Sequence, residues 1–163
     1  MNKKVIVMAL TAIVLLLGVY LYKKFNVAPS INFDALELYD LDTNKVAFKN
    51  LKGKKLIVSF GASWCPNCID ELNTLKKIKD TQLQNVEIIC ISDEDFEVIK
   101  NWKEKKQYPF TFLKLNSGFN SVGVYSIPTT YIFDTKLQLK LQEVGFIDWE
   151  DVDVAKSMVE LME

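Results

Sequence analysis

Leu56-Ile57-Val58-Ser59-Phe60-Gly61-Ala62-Ser63-Trp64-Cys65-Pro66-Asn67-Cys68 sets an apolar run directly ahead of two cysteines two residues apart. Residues 55–60 are predicted as a buried strand. After the cysteines, Ile69, Leu72, Leu75 and Ile78 recur with Asp70, Lys76, Lys77 and Lys79 between them, which predicts an amphipathic helix with one core face. The cysteines therefore fall where strand gives way to helix. There, unpaired backbone N–H groups and the positive end of the helix dipole favour thiolate over thiol at Cys65. Cys68 lies one turn further on, within reach of a mixed disulfide formed by Cys65. Such a pair can cycle between dithiol and disulfide.

The spacing also suits zinc and a structural staple. A closed zinc site needs two more nitrogen or sulfur ligands, and only Cys90 remains in a chain with no histidine. A staple across so short a loop removes little unfolded-state entropy, about 2 kcal/mol. The redox reading carries most of the weight. Cys90 sits in the continuous apolar run Val86-Glu87-Ile88-Ile89-Cys90-Ile91, suited to a central strand, and is expected to be a buried packing residue. Trp64, beside Cys65, is placed to shield it or to touch a substrate.

Outward from this centre, residues 31–48 suggest a hairpin turning at Asp42-Thr43-Asn44. Ser92 or Asp93 is expected to cap a helix whose first turn carries Glu94 and Asp95 and whose apolar positions include Phe96, Ile99 and Trp102. A short extended piece runs to Leu115. Ile127-Pro128-Thr129-Thr130-Tyr131-Ile132-Phe133 reads as a strand opened by proline, and residues 137–144 as its hairpin partner. Residues 148–162 close the chain as a helix with Val152, Ala155, Met158, Val159 and Met162 inward. The expected order is β-β-β-α-β-α-β-β-α, with helices on both sides of a mixed sheet.

At 163 residues the chain holds one domain of ordinary size. The apolar share of 49% is inflated by residues 5–22, which carry no charge and as a helix span roughly 27 Å, close to the hydrocarbon thickness of a bilayer. Lys3 and Lys4 precede this run; Lys23 and Lys24 follow it. A cleaved signal peptide is the rival, but no small-x-small site follows closely, since Asn26 stands two before Ala28. No cysteine stands just after the run to take a lipid. The division expected is a tail at 1–4, a transmembrane anchor at 5–22, a tether at 23–30 and a domain at 31–163. Equal lysine flanks leave orientation undecided. All 21 acidic residues fall after position 24, and four of the 20 basic ones at or before it, leaving the rest near −5. That balance argues against a nucleic-acid partner. The lack of arginine, with heavy use of Lys, Ile, Asn and Phe, suggests an AT-rich bacterial genome.

Trp64-Cys65-Pro66-Asn67-Cys68 between strand and helix, with Ile127-Pro128-Thr129 about sixty residues later, resembles thioredoxin. The added N-terminal hairpin Leu41-Asp42-Thr43-Asn44-Lys45-Val46, Leu51-Lys52-Gly53-Lys54 and Ser59-Phe60-Gly61-Ala62-Ser63-Trp64-Cys65 look like the TlpA/ResA group of membrane-anchored thioredoxins. The similarity covers residues 28–163. It implies a thioredoxin-like three-layer α/β sandwich with an added N-terminal β-hairpin, preceded by one transmembrane helix. It also implies a protein-disulfide reductase or oxidoreductase that acts on disulfide-containing proteins such as apocytochrome c. A membrane electron donor would regenerate the dithiol, and no dissociable cofactor is implied. The expected place is the bacterial cytoplasmic (inner) membrane, single-pass, with the domain in the periplasm or cell exterior.

By the same resemblance Cys65 attacks, Cys68 resolves, Pro128 is a cis proline facing them, and the Ile127 backbone pairs with an incoming peptide. Glu71 matches an acidic position of the subgroup and could relay a proton; a solvated acid on a surface helix is the alternative. Three positions depart from the pattern. Ser59 stands where many thioredoxins bury an acid, Asn73 where a proline kinks the helix, and Pro66-Asn67 replaces x-Pro. Pro66 at the first helical position is shared with more oxidising members such as DsbA. The span from thioredoxin to DsbA is roughly 150 mV, about 7 kcal/mol. With no histidine beside the thiolate, a potential nearer the reducing end is expected. A thiol peroxidase is disfavoured by Ala62 and Val58, where that pattern wants threonine and proline. A copper chaperone of this fold usually needs a histidine. A binding module whose disulfide merely holds a docking loop stays open.

Overall fold

The computed structural model describes residues 3–163. Helix α1 (Lys3–Asn26) is long and apolar enough to cross a membrane and buries no residue of that apolar stretch. The rest of the chain builds one seven-stranded mixed sheet. Its strands are β1 (Leu38–Tyr39), β2 (Lys45–Val46), β3 (Lys55–Phe60), β4 (Val86–Ser92), β5 (Thr111–Leu115), β6 (Thr129–Phe133) and β7 (Leu139–Val144). They lie in the order β2-β1-β5-β4-β3-β6-β7. β3 runs parallel to β4 and antiparallel to β6, so the strand that leads to the cysteines is flanked on both sides.

The expected N-terminal hairpin is the β1–β2 pair. Asp40 closes it by accepting the N–H groups of Asp42 and Asn44, while Thr43 takes a left-handed φ of 66°. The extended piece before Leu115 forms a full strand, β5, so the chain has one strand more than the expected order. It is short and only half apolar in pattern, but β4 pairs with it in parallel through Ile89–Thr111 and Ser92–Lys114. β6 begins at Thr129, after the proline, and β7 at Leu139.

Three helices cover the sheet: α2 (Pro66–Ile78), α3 (Phe96–Lys106) and α4 (Val152–Leu161). All three pack in one cluster with Ile57, Ile88, Cys90, Phe112 and Ile132, so they share a face; helices on both sides is not what the chain builds. The opposite face, carrying Leu56, Val58, Phe60, Ile89, Ile91, Tyr131 and Phe133, is covered by Ala28, Phe33, Phe48, Phe119 and Val124. Three single-turn 3₁₀ segments, Phe33–Ala35, Phe48–Leu51 and Phe119–Val122, supply those aromatics. The period-2 alternation of the strands feeds both clusters. The third layer is thus turns and the segment after α1, closed by ring contacts such as Phe33–Phe133 at 5.0 Å.

Two helix boundaries differ from expectation. Asp95, not Ser92 or Asp93, precedes α3, because Asp93 and Glu94 are turned to other partners. Helix α4 starts at Val152, capped by Asp151, whose side chain accepts the N–H groups of Asp153 and Val154; Val152 itself points to solvent.

Candidate active site

Strand β3 ends at Phe60, and the Gly61 N–H donates to the Ile91 carbonyl at 3.0 Å, keeping the chain pinned to β4 as it turns. An added Cβ at Gly61 would sit 3.3 Å from the Cys68 Cβ, a tight contact that the helix start would have to yield to by a few tenths of an ångström. Cys65 is the N-cap of α2, with Pro66 at the first helical position. Its Sγ accepts the Cys68 N–H at 3.2 Å, one of the unpaired donors of the helix terminus. Cys65 and Cys68 are joined by a disulfide with Cα atoms 5.3 Å apart. Cys65 is 5% exposed and Cys68 1%, so the pair lies just below the surface rather than on it, packed with Ala62 and Ile127.

Across from the pair, the Ile127–Pro128 bond is cis, and the Ile127 carbonyl oxygen is 3.7 Å from Cys65 Sγ. Trp64 is 69% exposed. Together with Asp93, Phe119, Tyr125, Ser126 and Ile127 it walls a groove of about 280 Å³ beside the cysteines. The structure thus brings Trp64, Cys65, Cys68, Ile127 and Pro128 together at one end of the sheet, past the end of β3 and ahead of β6.

Glu71 is not a solvated surface acid. It is buried, one turn along α2 from Cys68. Its Oε1 accepts from Ser59 Oγ at 3.0 Å and Thr130 Oγ1 at 2.8 Å, and its Oε2 accepts the Ile147 N–H at 3.1 Å. Burial pushes its pKa up to about 7, against the pull of these three donors. Ser59 and Thr130 are direct partners in the β3–β6 register. The position where many thioredoxins carry an acid therefore holds a hydroxyl that serves an acid placed on the helix. Sequence reasoning missed Ser59 and Thr130 as donors, although two hydroxyls inside otherwise apolar strands were the available signal. Cys90 pairs with Ser59 from the other side, free and fully buried; burial first, then the Glu71 and Glu94 carboxylates, hold its thiol well above the ordinary range.

Glu94 was missed as well. Its carboxylate accepts the Ser63 N–H at 2.6 Å and the Ser63 hydroxyl at 2.7 Å, fastening the loop that carries Trp64 to the end of β4. Neighbouring Asp93 accepts the Phe119 N–H at 3.0 Å and so holds the opposite wall of the groove. Among the described residues, no group of three or more His, Cys, Asp or Glu side chains is placed to hold a metal ion.

A strand-to-helix cysteine pair facing a cis proline on a mixed sheet defines a thioredoxin-like protein. The chain belongs to the AhpC/TSA family, whose model matches residues 26–142. It is 31% identical over 101 residues to the thiol-disulfide oxidoreductase ResA of Bacillus cereus, a match covering 58% of this chain and 57% of ResA. It is 24% identical over 121 residues to the thioredoxin-like protein YneN of Bacillus subtilis, covering 71% of each. Among solved structures, an uncharacterized thioredoxin-like protein from Porphyromonas gingivalis superposes with a TM-score of 0.67 at 21% identity, over 78% of this chain and 90% of that one. StoA from Bacillus subtilis does so with a TM-score of 0.58 at 18% identity, over 80% and 99%. Both likenesses are in fold.

Proposed function

We propose that this protein is a thiol-disulfide oxidoreductase that reduces disulfides in other proteins. The observation that carries the reading is Cys65 at the helix N-cap, its sulfur held by the Cys68 N–H and set 3.7 Å from the Ile127 carbonyl. The Cys65 thiolate attacks one sulfur of a substrate disulfide; that S–S bond breaks, and the departing sulfur leaves as a thiolate that takes a proton. The Cys68 thiol loses its proton, and its thiolate attacks Cys65, releasing the second substrate sulfur. Two electrons pass to the substrate, and the protein is left with the Cys65–Cys68 disulfide. Glu71, with a pKa near 7, is the proton acceptor one turn from Cys68.

The backbone of Ile127 ahead of Pro128 offers a strand for the substrate to pair with, and Trp64 overhangs the same groove. Helix α1 anchors the chain in the cytoplasmic membrane, the domain works in the periplasm or at the cell exterior, and a thiol-reducing membrane protein restores the dithiol. Apocytochrome c is the first substrate to test. The naming of ResA as a thiol-disulfide oxidoreductase supports the reaction class.

Cys68→Ser tests the reading. It keeps the attacking thiol and loses the one that ends the intermediate, so adducts sensitive to reductant should accumulate in cells. Titration of the wild type against dithiol buffers should show one reversible two-electron couple. Absence of both adducts and couple would leave a binding module whose disulfide only shapes a loop.

A further inference from the structure

The last turn of α1 does not hang free; it is fastened to the loop that leads into Pro128. Ser126 Oγ donates to the Phe25 carbonyl at 2.8 Å. The Phe25 and Tyr125 rings meet edge to face with centroids 6.3 Å apart, and Lys24 Nζ lies 4.3 Å from the Tyr125 centroid. Further along, the Tyr131 hydroxyl donates to the Pro29 carbonyl at 2.7 Å, and Gln142 Nε2 to that of Ala28 at 3.2 Å. Tyr125 and Ser126 also wall the groove beside Cys65. The exit of the helix and the substrate side of the site are one packed unit.

This fastening fixes a height. Phe25 is three residues past Tyr22, about 4.5 Å along a helix axis. The headgroup layer on each side of a bilayer is roughly 5–7 Å deep. A ring packed on Phe25 therefore lies in that layer when residues 5–22 fill the hydrocarbon. The large apolar side chains open to solvent at this edge are Trp64, Tyr125 (42% exposed), Phe25 and Val27. Amphipathic aromatics suit the membrane–water boundary, and Lys23 and Lys24 stand beside them for lipid phosphates. Asp93, in the groove wall, accepts the Phe119 N–H, and neighbouring Glu94 accepts from Ser63.

We infer that this edge, Trp64 and Tyr125 with Phe25 and Val27, rests in the headgroup layer of the bilayer that α1 crosses, so that Cys65 meets disulfides carried by proteins held at that membrane surface. The inference rests on the exchange reaction and the anchor proposed above. It makes the electron donor and the substrate membrane-held, and it disfavours freely diffusing disulfides that cannot approach the lipid.

Full-length protein in phosphatidylcholine–phosphatidylglycerol vesicles tests it, with the cysteine pair kept reduced. Trp64 emission is read as the difference between wild type and Trp64→Phe. Phospholipid brominated high on its acyl chains should extinguish most of that difference. A Gly-Ser insertion of about ten residues between Asn26 and Val27, a coil spanning roughly 16–19 Å, should restore it. Emission indifferent to bromine, or a chain that does not float with the vesicles, overturns the inference. Dithiol titration of the same vesicles is separate: loss of the two-electron couple would overturn the reaction and leave the lipid contact to be judged by the quenching alone.

Discussion

The role in proton transfer proposed for Glu71 rests on its partners more than on its position. A carboxyl whose pKa rises from 4.5 to about 7 on folding holds its proton more tightly in the folded state. Its contribution to stability is therefore present in full below pH 4.5 and is lost as pH rises to about 7. Glu71→Gln removes that slope. The stability of the wild type relative to this variant should fall by about 3 kcal/mol between those limits, read from urea midpoints at several pH values. The pH–rate profile of exchange should lose its break near neutrality in the same variant; a profile unchanged by the substitution would remove Glu71 from the proton path. At this scale the placement of the cysteines was legible, because the strand ahead of them and the helix after them each leave a clear pattern. The burial of Glu71 was not, since only the meeting of Ser59, Thr130 and the Ile147 N–H decides it, and they stand 12, 59 and 76 positions away.

At the scale of elements, the site depends on how β4 ends. Ser92-Asp93-Glu94 holds the Trp64 loop with one carboxylate and the Phe119 turn with the next, so the two walls of the groove are tied to one strand terminus. Glu94→Ala would leave the Ser63 N–H without its partner, which costs about 1–3 kcal/mol. The urea midpoint should drop accordingly, and hydrogen exchange at residues 61–64 should quicken more than exchange in β3; uniform quickening would mean that the clamp is not local. The sequence had suggested Asp93 as a cap of α3 and Glu94 for its first turn, the usual places for them. Tertiary partners outweighed that preference, as they did for the short, weakly patterned β5. The long apolar runs β3, β4 and β6 and the three-residue repeat of α2 were readable because burial on both faces, or on one, leaves a clear period.

For the whole molecule, the first question raised by the proposed anchor is which side of the membrane the domain occupies. A tethered disulfide exchanger has most use where disulfides form. Alkaline phosphatase fused after Glu163 should therefore be active, and a reporter that needs the cytoplasm silent; the reverse pattern would place the domain on the cytoplasmic face. Equal lysine flanks made this side unreadable from sequence. The gathering of α2, α3 and α4 on one face was unreadable too, since periodicity tells that a helix has a core side and not which side of a sheet receives it.

That one-sided arrangement sets a timetable for folding. The sheet's other face is closed by Phe33 and Phe48, which come early in the chain, against Tyr131 and Phe133, which come late. Contacts across some hundred residues cannot form until the distant strand has been made. The aromatics made first are thus among the last to find cover. Until then they are exposed apolar surface of the kind chaperones bind.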